Sequence, residues 1–246
     1  MVSPALGYRP LWGIAHLGSS APGPELDGRA DGCYRLIGMK QDSHASVGRP
    51  REFDVEEALS AALKVFWRKG YDAASLTDLT EAMGITRPSL YCAFGNKEAL
   101  FKKALDLYER EKLAFVDQSL AAPTGREAIE RFLYNACDLY AEDPETPGCM
   151  GVNSVLTCQG SASEAVKQEL IDRGIDVQSR LKLRLERAKA EGELGDADPS
   201  TLAAYVVTVG QGVALQAGLG VKRKALKDVV ATALLAVPAG RKSAAA

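Results

Sequence analysis

Histidine is nearly missing from this chain. The 246 residues contain two, His16 and His44, and both precede the first stretch of regular apolar spacing. Everything beyond residue 47 therefore lacks an imidazole, which excludes a histidine-based triad and a histidine zinc site. No run of eighteen apolar residues occurs, so no membrane span is expected. No basic segment leads into a long apolar core near the start, so no secretory signal is expected either. The net charge of −2 excludes a basic coat that would bind nucleic acid without selectivity. The cysteines, Cys33, Cys92, Cys137, Cys149 and Cys158, are five, an odd number without metal-ligand or redox-pair spacing. That usage fits a reducing cytoplasm and predicts no metal and no cofactor.

The first part of what is present is weakly structured. Residues 1–47 are rich in Gly, Pro, Ser and Ala with no sustained apolar period, and they read as a disordered extension. Met39 lies shortly before an Arg49-Pro50-Arg51 arm, which makes Met39 a candidate natural start. Arg49 and Arg51 form a basic arm of the kind that enters a narrow minor groove. A helix is predicted from Val55 to Lys69, with Val55, Leu59, Ala62, Leu63 and Phe66 on one face and Gly70 ending it.

Residues 75–100 carry the most information. Ser75 is an N-cap with Asp78 as its capping-box partner. Leu79, Ala82 and Met83 follow at helical spacing, and Gly84 supplies a left-handed exit. Thr86 is a second N-cap, and Pro88 fits the first turn of a second helix starting near Arg87. This is a helix-turn-helix, and it points to DNA. Thr86, Arg87 and Ser89 crowd the end that faces base edges in such a motif. Tyr91 and Lys97 offer groups to phosphates, and Ser75 and Thr77 complete the expected DNA-binding set. Residues 48–112 balance eleven Lys and Arg against eleven Asp and Glu. Within Met83 to Lys103, however, Arg87, Lys97, Lys102 and Lys103 face only Glu98. The positive footprint is local, as a small reading face requires.

The block from Gly48 to Leu107 includes Arg49-Pro50-Arg51, Phe66, Gly70-Tyr71, Ser75-Leu76 and Ala82-Met83-Gly84. It continues with Pro88-Ser89-Leu90-Tyr91, Phe94-Gly95 and Lys97-Glu98-Ala99-Leu100. It resembles the DNA-binding domain of TetR-family transcriptional regulators. The resemblance covers about a quarter of the chain. It implies a homodimer that sets two reading helices in successive major grooves of a palindromic double-stranded DNA operator. It also implies a small-molecule effector in the C-terminal domain that changes their separation, and a dimer interface made by the last two helices.

The rest of the chain reads as helices. One is expected from Lys97 to about Ser119, a lever joining the two parts. Another covers Glu127 to Glu142, a loop covers Asp143 to Gly148, and a shorter helix covers Met150 to Cys158. Val166, Leu170, Gly174, Val177, Leu181, Leu185 and Ala188 define one long helix closed by Gly192 or Gly195. Asp198 and Pro199 start a further helix reaching about Ala217, with Gly210, Gly212 and Ala214 allowing close approach. Leu226, Val229, Val230, Ala233, Leu234 and Val237 stripe the last one. The expected fold is all-α: an N-terminal three-helix helix-turn-helix DNA-binding domain over 48–97, and a C-terminal helical ligand-binding and dimerisation domain over 98–240. Residues 241–246 form a disordered tail.

Phe115, Phe132, Tyr140, Cys149, Met150 and Asn153 lie on the middle helices and are candidate effector-pocket residues. Plain core is the competing role for each. Cys149 follows Pro147-Gly148 at a predicted helix N-terminus, where a thiolate is stabilised, so redox or electrophile sensing is an alternative. The Ser179/Lys182 and Tyr108/Lys112 pairs match short catalytic patterns, but they sit on charged helices without a phosphate-binding loop, and they read as solvated faces. The expected function is a cytoplasmic, sequence-specific transcriptional regulator, a repressor released by an effector, and not an enzyme. A helical protein-interaction module without DNA activity is the other class.

Overall fold

The computed structural model describes residues 53–158 and 164–239. Arg49, Arg51, both histidines, the extension 1–47 and the tail 241–246 lie outside the described residues. Within them the chain forms ten α-helices and no strand. No helix there is long and apolar enough to cross a membrane.

The first helix, α1 (Val55–Ala73), starts on Asp54, whose carboxylate accepts the Glu56 and Glu57 N–H groups at 2.7 and 3.1 Å. Its regular winding breaks at Gly70, with φ +73° and ψ 178°, and one short turn follows. Val55 was expected on the buried face but is 38% exposed, whereas Ala58, Val65 and Trp67 are buried. The reason is that α1 is covered on two sides. One side meets α2 (Leu76–Met83) and α4 (Lys97–Lys112), and the other meets α7 (Met150–Thr157). Phe66 packs edge-on to Phe101 of α4 at 5.0 Å, and Trp67 packs edge-on to Tyr108 at 4.8 Å. A single-stripe reading of α1 misses the second covered face.

The expected helix from Lys97 to Ser119 is instead two. At Leu113 the backbone moves to φ −98°, ψ 7°, and α5 (Ala114–Leu120) sets off in a new direction. No Gly or Pro is present to signal the break. Packing accounts for it: the bend buries Val116 and sets Phe115 against Phe132 at 5.9 Å. Residues 114–120 are thereby laid on α6 (Gly125–Tyr140).

The long helix, α8 (Glu164–Ala190), is continuous as its spacing predicts. It holds α4 and α5 by arginines. Buried Arg184 donates to the carbonyls of Leu120, Ala122 and Pro123 at 3.1, 3.0 and 3.1 Å, so it satisfies oxygens left open where α5 ends. Arg173 reaches Asp106, Glu109 and Glu169 at 2.7, 2.8 and 2.8 Å. Gly125 starts α6 directly against α8, where a Cβ would stand 2.6 Å from that of Ala188.

Asp198 caps α9 (Pro199–Gly218), accepting the Thr201 N–H at 2.7 Å. Gly210 and Ala214 face inward, Gly210 against Phe132, whereas Gly212 is open. Of the small residues expected at a close approach, Gly212 is therefore the exposed one, on the side that lines a cavity. In α10 (Arg223–Ala233) and the short turn after it, Leu226, Val230, Leu234 and Val237 are buried, while Val229 is 58% exposed. Arg126 of α6 anchors this end by donating to the Val237 carbonyl at 2.7 Å.

Gly70 and Gly84 both have positive φ but differ in surroundings. A Cβ on Gly70 would lie 2.0 Å from Thr157 Oγ1, whereas one on Gly84 meets nothing within 4 Å. Gly84→Ala is expected to cost about 1 kcal/mol, the left-handed penalty alone. Gly70→Ala is expected to cost about 3 kcal/mol, because strain and a collision with α7 combine. Urea unfolding followed by circular dichroism measures both, and equal losses would mean that α1 and α7 do not meet closely.

Candidate DNA-reading face and effector cavity

The reading helix is positioned by caps. Ser75 Oγ accepts the Asp78 N–H at 3.0 Å while the Asp78 carboxylate accepts the Ser75 N–H at 3.0 Å and its hydroxyl at 2.8 Å. Lys69 Nζ lies 2.7 Å from the same carboxylate, which fixes α2 to α1. Gly84, with φ +65°, closes α2, and its N–H turns back to Glu81 and Thr80. Thr86 then caps α3 (Arg87–Phe94), accepting the Ser89 N–H at 3.3 Å. Leu79, Leu90, Phe94 and Leu100 have essentially no exposure, so α2 and α3 are held on an apolar floor. Ala82, read as part of that floor, is exposed.

The expected DNA-binding residues fall into three groups. Thr77, Thr86, Arg87 and Tyr91 are exposed on the outer side of the two helices, and the Arg87 guanidinium donates to Thr77 Oγ1 at 2.8 Å. Arg87 is thus held across from α2 with its donors beside the N-terminal turn of α3. Ser89 belongs elsewhere: it is buried, and its hydroxyl pairs with Thr86 Oγ1 at 2.9 Å. It braces the cap because position 89 lies on the inner side of this short helix. Ser75 is exposed, but its hydroxyl is engaged by Asp78.

Lys97, in the first turn of α4, is half-buried with its ammonium 4.5 Å from the Tyr71 ring centre and 3.4 Å from the Asp72 carbonyl. Burial lowers its pKa, opposed by the nearby Asp72 carboxylate. The aromatic face and carbonyl hold the charge at the N-terminal edge of α4.

Behind this domain a cavity of about 520 Å³ opens between α4, α5, α6, α7, α8 and α9. Phe115, Phe132, Tyr140 and Cys149 line it as expected. Met150 and Asn153 do not: Met150 is fully buried, and Asn153 donates to the Pro147 carbonyl at 3.3 Å. Both sides of the α7 N-terminus looked alike in sequence, and only the side carrying Cys149 faces the space. The sequence reading missed Tyr108, Glu109, Arg173, Thr208 and Gln211 on its wall. Tyr108 and Glu109 looked like ordinary positions of a charged helix. Only the crossing of α4 over α8, held by Arg173, turns them inward.

At the closed end, Tyr108 OH donates to Cys149 Sγ at 3.4 Å, and the Tyr140 hydroxyl interacts with the same sulfur. Burial, and then the neighbouring thiol, raises both phenols well above their ordinary value, so they remain neutral donors. At the rim, Arg173 sits among its three carboxylates. Burial opposes its charge, and the carboxylates more than restore it.

These features define a class: a helix-turn-helix regulator with a separate ligand cavity. Residues 58–104 match the profile of the bacterial regulatory proteins of the tetR family. The repressor ComR of Escherichia coli strain K12 is 30% identical over 196 residues, covering 77% of this chain and 91% of ComR. The repressor BdcR of the same strain is 37% identical over 123 residues, covering 49% of this chain and 62% of BdcR. Among solved structures, a cysteine-substituted form of the TetR-family regulator CifR, in complex with 26-base-pair operator DNA, is 39% identical with a TM-score of 0.72. That match covers 76% of this chain and 99% of CifR. The chain belongs to the TetR family of transcriptional regulators.

The capping box gives a pH signature. Hydrogen bonds from Lys69, then from the Ser75 N–H and hydroxyl, lower the Asp78 pKa from 3.8 to about 2. A lowered carboxylate stabilises the fold fully above its unfolded value and ceases to do so as pH falls through the folded one. Asp78→Asn is therefore expected to be less stable than the wild type at neutral pH, with a gap that closes as pH falls from 3.8 towards 2. Urea titrations across that range check it, and a gap independent of pH would show that the carboxylate charge is not involved.

Proposed function

We propose that the chain is a cytoplasmic homodimeric repressor that binds a palindromic operator and leaves it when a small-molecule effector occupies the cavity. The observation that carries this reading is the exposed N-terminal turn of α3, with Arg87 braced on Thr77 of α2, in a chain similar over 76% of its residues to a regulator solved on operator DNA. Arg87 reads a base edge in the major groove. Thr77, Thr86, Tyr91 and Lys97 hold phosphates, as does the preceding arm with Arg49 and Arg51, which extends the contact into the minor groove. Dimerisation uses α9 and α10, which carry Leu219, just after α9, and Val229 in the open. Pairing buries these apolar side chains and sets two reading helices about one DNA turn apart.

The effector acts through the corner at 147–149. Gly148 is wedged so closely that a Cβ would stand 2.7 Å from the Ala214 carbonyl of α9. Its own carbonyl accepts the Trp67 indole N–H of α1 at 3.2 Å. The next residue, Cys149, lines the cavity. Filling the cavity displaces this corner, and α1 carries the displacement to the reading helices, a shift between two populated arrangements.

Fluorescence anisotropy on the DNA beside the chain's own gene, against scrambled DNA, tests the reading. Specific binding is expected to be tighter by about a thousandfold or more. Arg87→Ala should weaken the specific complex by about 1–3 kcal/mol and relax base preference. Tyr91→Ala and Lys97→Ala should weaken all DNA alike. Indifference to all three substitutions, with equal weak binding to both DNAs, would favour a helical interaction module.

A second reading rests on Cys149, whose sulfur faces the cavity at the start of α7. An electron-poor alkene lodged there would accept the sulfur in a new C–S bond as its C=C π bond opens, the electron pair passing to the neighbouring carbon, which takes up the proton that the thiol releases. Cys137, fully buried and raised by that burial to about 11, is the internal control. Iodoacetamide on the folded protein should modify Cys149 first, and modification of Cys137 ahead of it would end the sensor reading.

A further inference from the structure

Resting on the reading of the cavity as an effector site, we infer that its ligand is an uncharged, largely apolar molecule that carries an oxygen acceptor for the Tyr108 and Tyr140 hydroxyls. The walls are dominated by Leu, Val and Phe side chains, and a volume of about 520 Å³ suits a drug-sized molecule. Besides Thr208, whose hydroxyl donates to the Ala204 carbonyl of its own helix, and Gln211, the polar groups of the wall lie at two places. At the closed end, two buried phenols converge on one sulfur: Tyr108 OH lies 3.4 Å from Cys149 Sγ, and Tyr140 interacts with the same atom.

A thiol sulfur is a weak acceptor, so two O–H donors aimed at one sulfur are poorly matched. A ligand carbonyl or ether oxygen between them would replace a weak bond by one of ordinary strength in a site without competing water. The closed end thus selects for an acceptor and gives no counter-charge to an ion.

The rim excludes charge in a different way. Glu109 and Arg173 both face the cavity, but Arg173 is engaged by Asp106, Glu109 and Glu169 together. An anionic ligand would meet a guanidinium already bound to three carboxylates and a residual negative field. A cationic ligand reaching the phenols would leave these carboxylates behind at the rim and lose its hydration without a partner. An uncharged molecule avoids both costs.

Equilibrium dialysis of the full chain against benzophenone, diphenylmethane, diphenylacetate and diphenylmethylammonium tests the inference. Benzophenone is expected to bind about tenfold tighter than diphenylmethane, the worth of one well-placed buried hydrogen bond. It should also bind tighter than either ion. In Tyr140→Phe the ketone preference should shrink, and in the Tyr108→Phe, Tyr140→Phe double variant it should vanish. Diphenylmethane binding must persist in both variants, which shows that the cavity is intact; its loss there counts against the assignment. Tighter binding of either ion, a ketone preference unchanged in the double variant, or binding of none of the four overturns the inference. Operator release is measured separately by anisotropy. A ketone that binds with the expected preference but leaves the DNA complex intact upholds the ligand class and counts against effector control. Release by compounds outside that class does the opposite.

Discussion

Trp67 joins the two halves of this protein. Its ring lies edge-on to Tyr108 of α4 at 4.8 Å, and its indole N–H donates to the Gly148 carbonyl at 3.2 Å. A buried indole is costly without an acceptor, so Trp67 fixes the distance from α1 to the 147–149 corner as well as filling space. The Gly70 backbone, against Thr157, lets α7 lie flat on the same helix. DNA domain and cavity thus share a wall: α1 on one side, and on the other the loop that ends in Cys149.

The remaining cohesion is divided between apolar layers and a set of arginines on α8. Arg184, buried, closes the backbone carbonyls where α5 ends. Arg173 and Arg180, nearer the surface, pair with acidic residues of α4 and α5. Exposed pairs contribute little to stability, yet Asp106 and Glu109 on one guanidinium set the crossing of α4 over α8. That crossing brings Tyr108 and Glu109 to the cavity. The same residues that orient the helices also give the rim its charge, so shape and ligand preference have a common origin.

The helix-turn-helix was legible because its information is local. Ser75 with Asp78, Gly84, and Thr86 with Pro88 are caps whose partners lie within four residues, and the structure forms each as the spacing predicts. Asp198 before Pro199 and the unbroken period of α8 worked in the same way. Where the reading went astray, the deciding partner was distant. Leu113 breaks a helix because Phe115 and Val116 find α6, and Ser89 turns inward because the short α3 has a floor beneath it. Val229 is left outside because Leu226, Val230 and Leu234 already fill the facing groove.

The sequence by itself therefore determined the all-α class, the reading motif, its local positive charge and most helix termini, since caps and periodicity act over one or two turns. Tertiary structure decided which polar side chains meet. Tyr108 and Tyr140 come from two helices and Cys149 from the corner before a third, and Arg173 answers acids up to 67 residues away. No short-range pattern encodes such convergence, because it depends on crossing angles set by the packing of the whole core.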